Sequence, residues 1–404
     1  MRDGRRSGRP TRRRLASLLL SGAALLGAGQ TSAAQTEGVT ASEILIGSCA
    51  ALEGPANALG TQTVLGAKAY LNHINEGGGV NGRKIRLLSY DDGYEPTKAV
   101  ECFNRLRAEP VFAAAFFVGT PTAVKHVALA EQYKIPLVGL FTGAQILREP
   151  FKRYVINVRA SYYDETREHI DNLWQVLGLR KLGVIYQDDA FGIAVLDGVK
   201  LALKKYNAAP VALGTFPRNT LDVAKGMESV RAADPEAVVM VGPYAPVAEI
   251  VKRGKKSGWN PLYLTVSFVG TESFMKEAAE AGEGTVITQV VPPYTRVDLP
   301  TVVFYLTTLK KYFPDAQPNF VSFEGFVDAL VLVEGLKRAG RDLSRERLID
   351  AIESIKDKDI GLGPRLMLSY SATDHSGFHR VYYSVIRAGR VVAFTDWNDL
   401  KKKH

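Results

Sequence analysis

The stretch EILIGSCAALEGPANALGTQTVLGAKAYLNHINEGGGVNGRKIRLLSYDD, residues 43–92, decides the fold. Residues 44–49 form a short apolar run of strand character. Residues 59–75 then place Val64, Leu65, Tyr70, Leu71 and Ile74 at helical spacing, one apolar stripe on an otherwise polar segment. Gly77-Gly78-Gly79 stops that helix, because glycine takes the left-handed conformation without a steric penalty. Asn81-Gly82 is a turn signal, and residues 84–90 are the next strand. A strand, a helix and a second strand in this order make one βαβ unit.

The same rhythm continues outward. A helix over 97–106, a strand over 111–118, a helix over 123–133 and a strand over 135–140 complete a first series. A second series begins after 154–158, with strands over 182–186, 211–216, 237–241 and 262–266 and helices between them. Alternation of this kind implies parallel sheets covered by helices on both faces. Two complete series predict two lobes. The chain then offers helices over 301–312, 322–339 and 344–354 and strand-like segments over 365–371, 381–387 and 391–396. No low-complexity linker separates the series, so a short hinge with several crossings is expected near 157–161, 289–293 and 361–365. The expected organisation is an exported leader over 1–34, a first lobe from 35–158 plus 293–362, and a second from 159–292 plus 363–404.

The formal charge of +9 is concentrated at the start of the chain. Residues 1–34 hold seven Arg against Asp3 alone, which leaves 44 basic and 41 acidic side chains in the remainder. That balance makes no electrostatic case for nucleic acid. The basic start, the apolar run 15–26 and Ser32-Ala33-Ala34 read as an export signal cleaved before Gln35. Thr11-Arg12-Arg13-Arg14-Leu15 fits a twin-arginine signal as well as an ordinary secretory one. The apolar run falls short of the ~20 residues a spanning helix needs. Cys49 and Cys102 either form one disulfide in an oxidising compartment or remain two buried thiols.

In open α/β sheets the ligand sits beyond the carboxyl ends of the strands. Candidate site residues are therefore those that follow each strand. Gly119-Thr120-Pro121-Thr122 opens a helix, with Thr120 as expected N-cap and Pro121 at the expected first helical position. Its free N–H groups and two hydroxyls suit a carboxylate or a phosphate. Phe141-Thr142-Gly143 follows the next strand and can pack on and hydrogen-bond a ligand. Asp189 is expected to cap a helix rather than bind a cation. Tyr244, held between Pro243 and Pro246, is expected to lie over the ligand with its hydroxyl free. Tyr162, Ser267, Phe268 and Glu324 complete the candidates, and Tyr163 adds to the aromatic content. No catalytic residue, cofactor or metal site is expected. The six His are scattered, and there is no G-x-S-x-G, P-loop or G-x-G-x-x-G after the first strand. A hydrolase or dehydrogenase of two-lobed α/β form would need such a feature.

Taken together, Ile46-Gly47, Glu53-Gly54-Pro55-Ala56, Leu59-Gly60, Gly66-Ala67, Ile74-Asn75, Gly78-Gly79-Val80-Asn81-Gly82-Arg83-Lys84-Ile85, Asp91-Asp92, Ile135-Pro136-Leu137-Val138 and Phe191-Gly192 resemble the periplasmic leucine/isoleucine/valine-binding family. The resemblance runs from about residue 43 to the late 390s. It implies two Rossmann-like lobes joined by three crossings, which close on a ligand and deliver it, as a monomer in the periplasm, to an ABC transporter permease. An extracytoplasmic sensor of the same fold is the alternative. The resemblance also implies that the segment 119–122 holds a ligand carboxylate, that 141–143 contacts the ligand and that Tyr244 covers it. The family's amino-acid binders carry an acid after the strand that here ends at Val266, and this chain has Ser267-Phe268 there instead. Either Glu272 or Glu324 replaces that acid, or the ligand has no amine, since an unpaired buried ammonium costs several kcal/mol.

Overall fold

The computed structural model describes residues 36–401 apart from Arg365. The expected export signal, the strand start at Arg365 and the last three residues lie outside the described residues.

Strands β1 (Glu43–Ala50), β2 (Lys84–Asp91), β3 (Ala113–Ala115), β4 (Leu137–Val138) and β5 (Val155–Ile156) form a wholly parallel sheet in the order β2-β1-β3-β4-β5. Helices α1 (Asn57–Glu76), α2 (Pro96–Ala108) and α3 (Thr120–Tyr133) make its crossovers. Both faces are buried, as side-chain alternation along β1 requires. Ile44 and Ile46 pack with Tyr70 and Leu71 of α1, whereas Leu45 and Cys49 pack with Phe103 of α2 and Val127 of α3. Cys49 and Cys102 are joined in a disulfide with Cα atoms 6.1 Å apart, which pins α2 to the central strand.

The second sheet is built from β6 (Leu182–Gln187), β7 (Ala212–Phe216), β8 (Ala237–Val241), β9 (Leu262–Thr265) and β10 (Val286–Gln289), parallel throughout. A two-residue ribbon of β11 (Lys358–Asp359) and β12 (Met367–Leu368) stands apart. Strands β13 (Tyr382–Arg387) and β14 (Arg390–Phe394) extend the second sheet antiparallel, giving the order β14-β13-β10-β9-β8-β6-β7. Helices α4 (Tyr162–Asn172), α5 (Ala190–Lys204), α6 (Ala224–Arg231), α7 (Tyr244–Lys256) and α8 (Thr271–Ala278) belong to this half. Helix α4 gives way to a π-helical turn, Leu173–Leu177.

Helices α9 (Pro300–Tyr312), α10 (Phe320–Ala339) and α11 (Arg345–Glu353) return to the first sheet, with Phe323, Phe326 and Leu336 packed against Ile46 and Ala113. The backbone leaves the first sheet after Ile156 and returns to that sheet's core, though not to the sheet itself, after Gln289. The third crossing differs from the expected 361–365. Leu366, Leu368, Tyr370 and Phe378 all pack in the first sheet's core, and the chain joins the second sheet only at Tyr382. Short apolar stretches of this kind are equally at home in either core, so composition alone could not assign residues 363–378.

Candidate functional site

Each sheet reverses strand order once, between β1 and β3 and between β6 and β8. Switch points of this kind are where open α/β sheets place a ligand crevice, at the carboxyl ends of the strands. The loops there meet. Phe141, after β4, lies 5.5 Å between ring centroids from Phe268, after β9. Phe268 also meets Phe191 at 4.5 Å and Tyr94 at 5.9 Å, and Phe191 meets Tyr162 at 5.4 Å. All five rings are fully buried. Gln187, the last residue of β6, donates to the Tyr94 hydroxyl at 3.2 Å, and at the rim Arg218 pairs with Glu95 at 2.7 Å.

Gly119, not Thr120, caps α3. It sits at φ +99°, where an added Cβ would lie 2.2 Å from the Tyr94 ring. Thr120 is therefore the first helical residue, followed by Pro121, and the Thr120 and Thr142 hydroxyls are bonded at 2.7 Å. The Thr122 hydroxyl is not the expected donor, because it is spent on the Val118 carbonyl at 2.7 Å. The Gly143 carbonyl accepts from the Tyr162 amide at 2.7 Å, and a Cβ at Gly143 would press on that tyrosine. Burial pushes the Tyr162 hydroxyl up to about 12. The Tyr244 hydroxyl is not free either. It donates to Asn57 Oδ1 at 3.2 Å and accepts from the Ala58 amide at 3.4 Å, clasping the start of α1. Asp189 caps α5 as expected, accepting from Phe191 at 2.9 Å and Gly192 at 3.4 Å.

Beneath the aromatic rings lies a charge cluster of which sequence reasoning named Glu324 and Ser267 but missed Arg159 and Glu165. Arg159 follows β5 and is 2% exposed. Its Nη2 donates to Glu165 Oε1 at 3.0 Å and to the Ser267 hydroxyl, and Nη1 lies 3.2 Å from Glu324 Oε1. Its guanidinium stands 5.2 Å from the Phe141 ring and 5.7 Å from the Tyr162 ring, within cation–π range. Glu165 is fully satisfied, also accepting from the Ser267 amide at 2.8 Å and hydroxyl at 3.0 Å and from Thr288. Burial opposes the charge on Arg159, yet Glu324 and Glu165 hold its guanidinium above the ordinary arginine value. Burial raises the Glu324 carboxyl against the pull of Arg159, and burial together with Glu324 raises Asp328 one turn later. Arg159 thus lies between two carboxylates, hydrogen-bonded to Glu165 and ion-paired with Glu324. An arginine inside the apolar run Asn157-Val158-Arg159-Ala160 was the one available sequence signal for this cluster.

The two acids expected as substitutes are thus both engaged. Glu324 faces Arg159. Glu272, in the first turn of α8, accepts from the Phe320 amide at 3.3 Å at the start of α10. Burial pushes the Glu272 carboxyl up to about 7. A carboxyl raised in the folded state stabilises most below its unfolded pKa of about 4.3, and that contribution is lost as pH rises through the folded value. Glu272→Gln is expected to flatten the fall in urea midpoint between about pH 4.3 and pH 7. An unchanged slope would count against this assignment.

The chain matches the periplasmic binding protein family over residues 43–390, and it belongs to that family. Its fold is the type I form of the class. Within it, the chain falls with the leucine/isoleucine/valine-binding group. The "possible leucine/isoleucine/valine-binding protein" of Rhodopirellula baltica SH 1 superposes with a TM-score of 0.85 at 31% identity, covering 91% of this chain and 99% of that one. The Leu/Ile/Val-binding protein of Escherichia coli K12 is 21% identical over 67% of this chain and 73% of its own length. The amino acid binding protein of Pseudomonas aeruginosa is 24% identical over 58% of this chain, a match spanning 63% of that relative.

Proposed function

We propose that this protein is the extracytoplasmic solute-binding component of an ABC uptake transporter and acts by binding, not turnover. Its ligand is a small carboxylate with a flat or branched apolar body and no ammonium. One lobe comprises residues 36–158 and 293–378, the other 159–292 and 379–401, and they close by hinging about the three crossings. The observation that carries this reading is the convergence of both switch-point loops on one buried set. Thr120, Thr142 and Tyr162 supply hydroxyls near the start of α3, where positive helix-end charge favours an anion. Phe141, Phe191 and Phe268 supply apolar faces. The commitment of Glu165 and Glu324 to Arg159 argues against an ammonium partner there. The relatives named above are all binding proteins, which supports capture without chemistry.

The test compares leucine with 4-methylpentanoate, the same skeleton without the amine, and with benzoate. Thermal unfolding of the mature chain is the readout. A ligand that binds only the folded state adds about 2.7 kcal/mol at 100 times its dissociation constant. The amine-free acids should stabilise more than leucine, and Phe268→Ala should abolish the effect. Leucine matching its analogue, through a shift that Phe268→Ala removes, would overturn the ligand class. No shift with any acid would overturn the carboxylate reading.

A further inference from the structure

Behind the hinge, a cavity of about 470 Å³ lies between the first and third crossings, lined in part by Ser161 and Tyr163 on either side of Tyr162. The two segments are stitched together there. Asn157 N donates to the His375 carbonyl at 2.8 Å, and the amides of Gly377 and Phe378 donate to the carbonyls of Asn157 and Val158, both at 2.9 Å. The volume suits a small molecule. Two buried polar atoms on the lining residues have no protein hydrogen-bond partner, Arg148 Nη1, a charged donor, and Asn157 Oδ1, an acceptor. Leaving such groups unpaired is costly, most of all for a charge. Arg148 is held in place by its other nitrogen, Nη2, which donates to the Arg159 carbonyl at 2.8 Å.

The lining carries both signs of charge. Lys152 and His379 accompany Arg148, and Glu149, Asp164 and Asp374 oppose them. Asp164 is spent within the protein, accepting from the Ser161 amide at 3.0 Å, its hydroxyl at 2.7 Å and Arg167 at 2.9 Å. Asp374 Oδ1 accepts from the Ser376 amide at 2.9 Å. A simple anion would meet these carboxylates, and a simple cation would meet Arg148. A molecule bearing both charges meets neither objection.

We propose that this hinge cavity is a second binding site, for a small zwitterion of the α-amino acid type. Its carboxylate takes Arg148, and its ammonium faces Asn157 and Asp374. Because Arg148 grips the Arg159 carbonyl, a ligand here and a ligand at the aromatic crevice act on the same peptide from opposite sides.

The experiment titrates the mature protein with glycine at constant pH and follows the histidine ring resonances by NMR. His375 and His379 line the cavity, whereas His126 and His169 are buried elsewhere and serve as internal controls. Saturable shifts confined to His375 and His379 are expected. They should weaken about tenfold or more in Arg148→Gln, the loss of one charged hydrogen bond. Ser376→Leu, which fills the cavity from its rim, should remove them and decides the matter if Arg148→Gln does not fold. Phe268→Ala should leave them intact, so the outcome is independent of the crevice ligand. Absence of saturation, equal shifts with acetate or methylamine alone, or shifts unchanged in the folded variants would overturn the proposal.

Discussion

Replacing Cys49 and Cys102 together by Ala is expected to cost about 4 kcal/mol of stability, the loop-closure value for a cross-link spanning 53 residues. Typical domains have only about 5–15 kcal/mol in total. The bond joins the end of β1 to the middle of α2 and encloses α1, β2 and the loop that starts at Ala51. The unfolded chain without it regains the freedom of that whole segment. Both sulfurs are buried, Cys49 at 0% and Cys102 at 5% exposure, so Ala also leaves a small void. Urea unfolding of the oxidised mature chain and of the double variant measures the difference. A loss below about 1 kcal/mol would mean that native packing, not the cross-link, fixes α2 on β1, since disulfide removal typically costs 2–5 kcal/mol.

Arg159→Met is the second large effect. Methionine fills much of the same space, so the change isolates the charge. Glu165 and Glu324 are 0% and 4% exposed and would be left facing each other without a cation. Breaking a buried pair by removing one partner costs about 3–5 kcal/mol. The sign of the pH dependence distinguishes this from simple repacking. Without Arg159, protonation relieves the repulsion between the stranded carboxylates, Glu324 first because burial already raises it to about 7, so the deficit should shrink as pH falls from 7 towards 5. Adding Glu165→Gln to Arg159→Met should recover part of the loss at neutral pH. A deficit that is constant with pH would mean that the guanidinium matters for its hydrogen bonds to Ser267 and its contact with Phe141, not for its charge.

The fold was legible because its signals are local. The run 43–92 shows strand, stripe, glycine stop and hairpin in order, and the structure places β1, α1 and β2 there. That the loops after β4 and β9 meet was legible for the same reason, since position after a strand is itself the signal. Hydroxyl orientation was not. Whether Thr122 is free depends on a carbonyl four residues back, and whether Tyr244 is free depends on α1, some 187 positions away in the chain. Arg159, Glu165 and Glu324 are separated by other elements and carry no shared motif, so only the folded backbone reveals that they converge. The third crossing failed for a related reason. Residues 363–378 have too little regular structure for periodicity to say which core receives them.

One feature of the topology bears on how the chain is made. The face of the first sheet that carries Ile46 and Ala113 is completed by α9, α10 and α11, more than 140 residues after β5. A nascent chain that has emerged only as far as β10 has all five strands of that sheet but nothing to cover Phe112, Ala113 and Phe116 beyond α1. Contacts of such long sequence separation form slowly. The first half of the molecule therefore waits, with an apolar face uncovered, for segments synthesised last. Whatever escorts this polypeptide from the ribosome must shield that face until residue 353 has appeared.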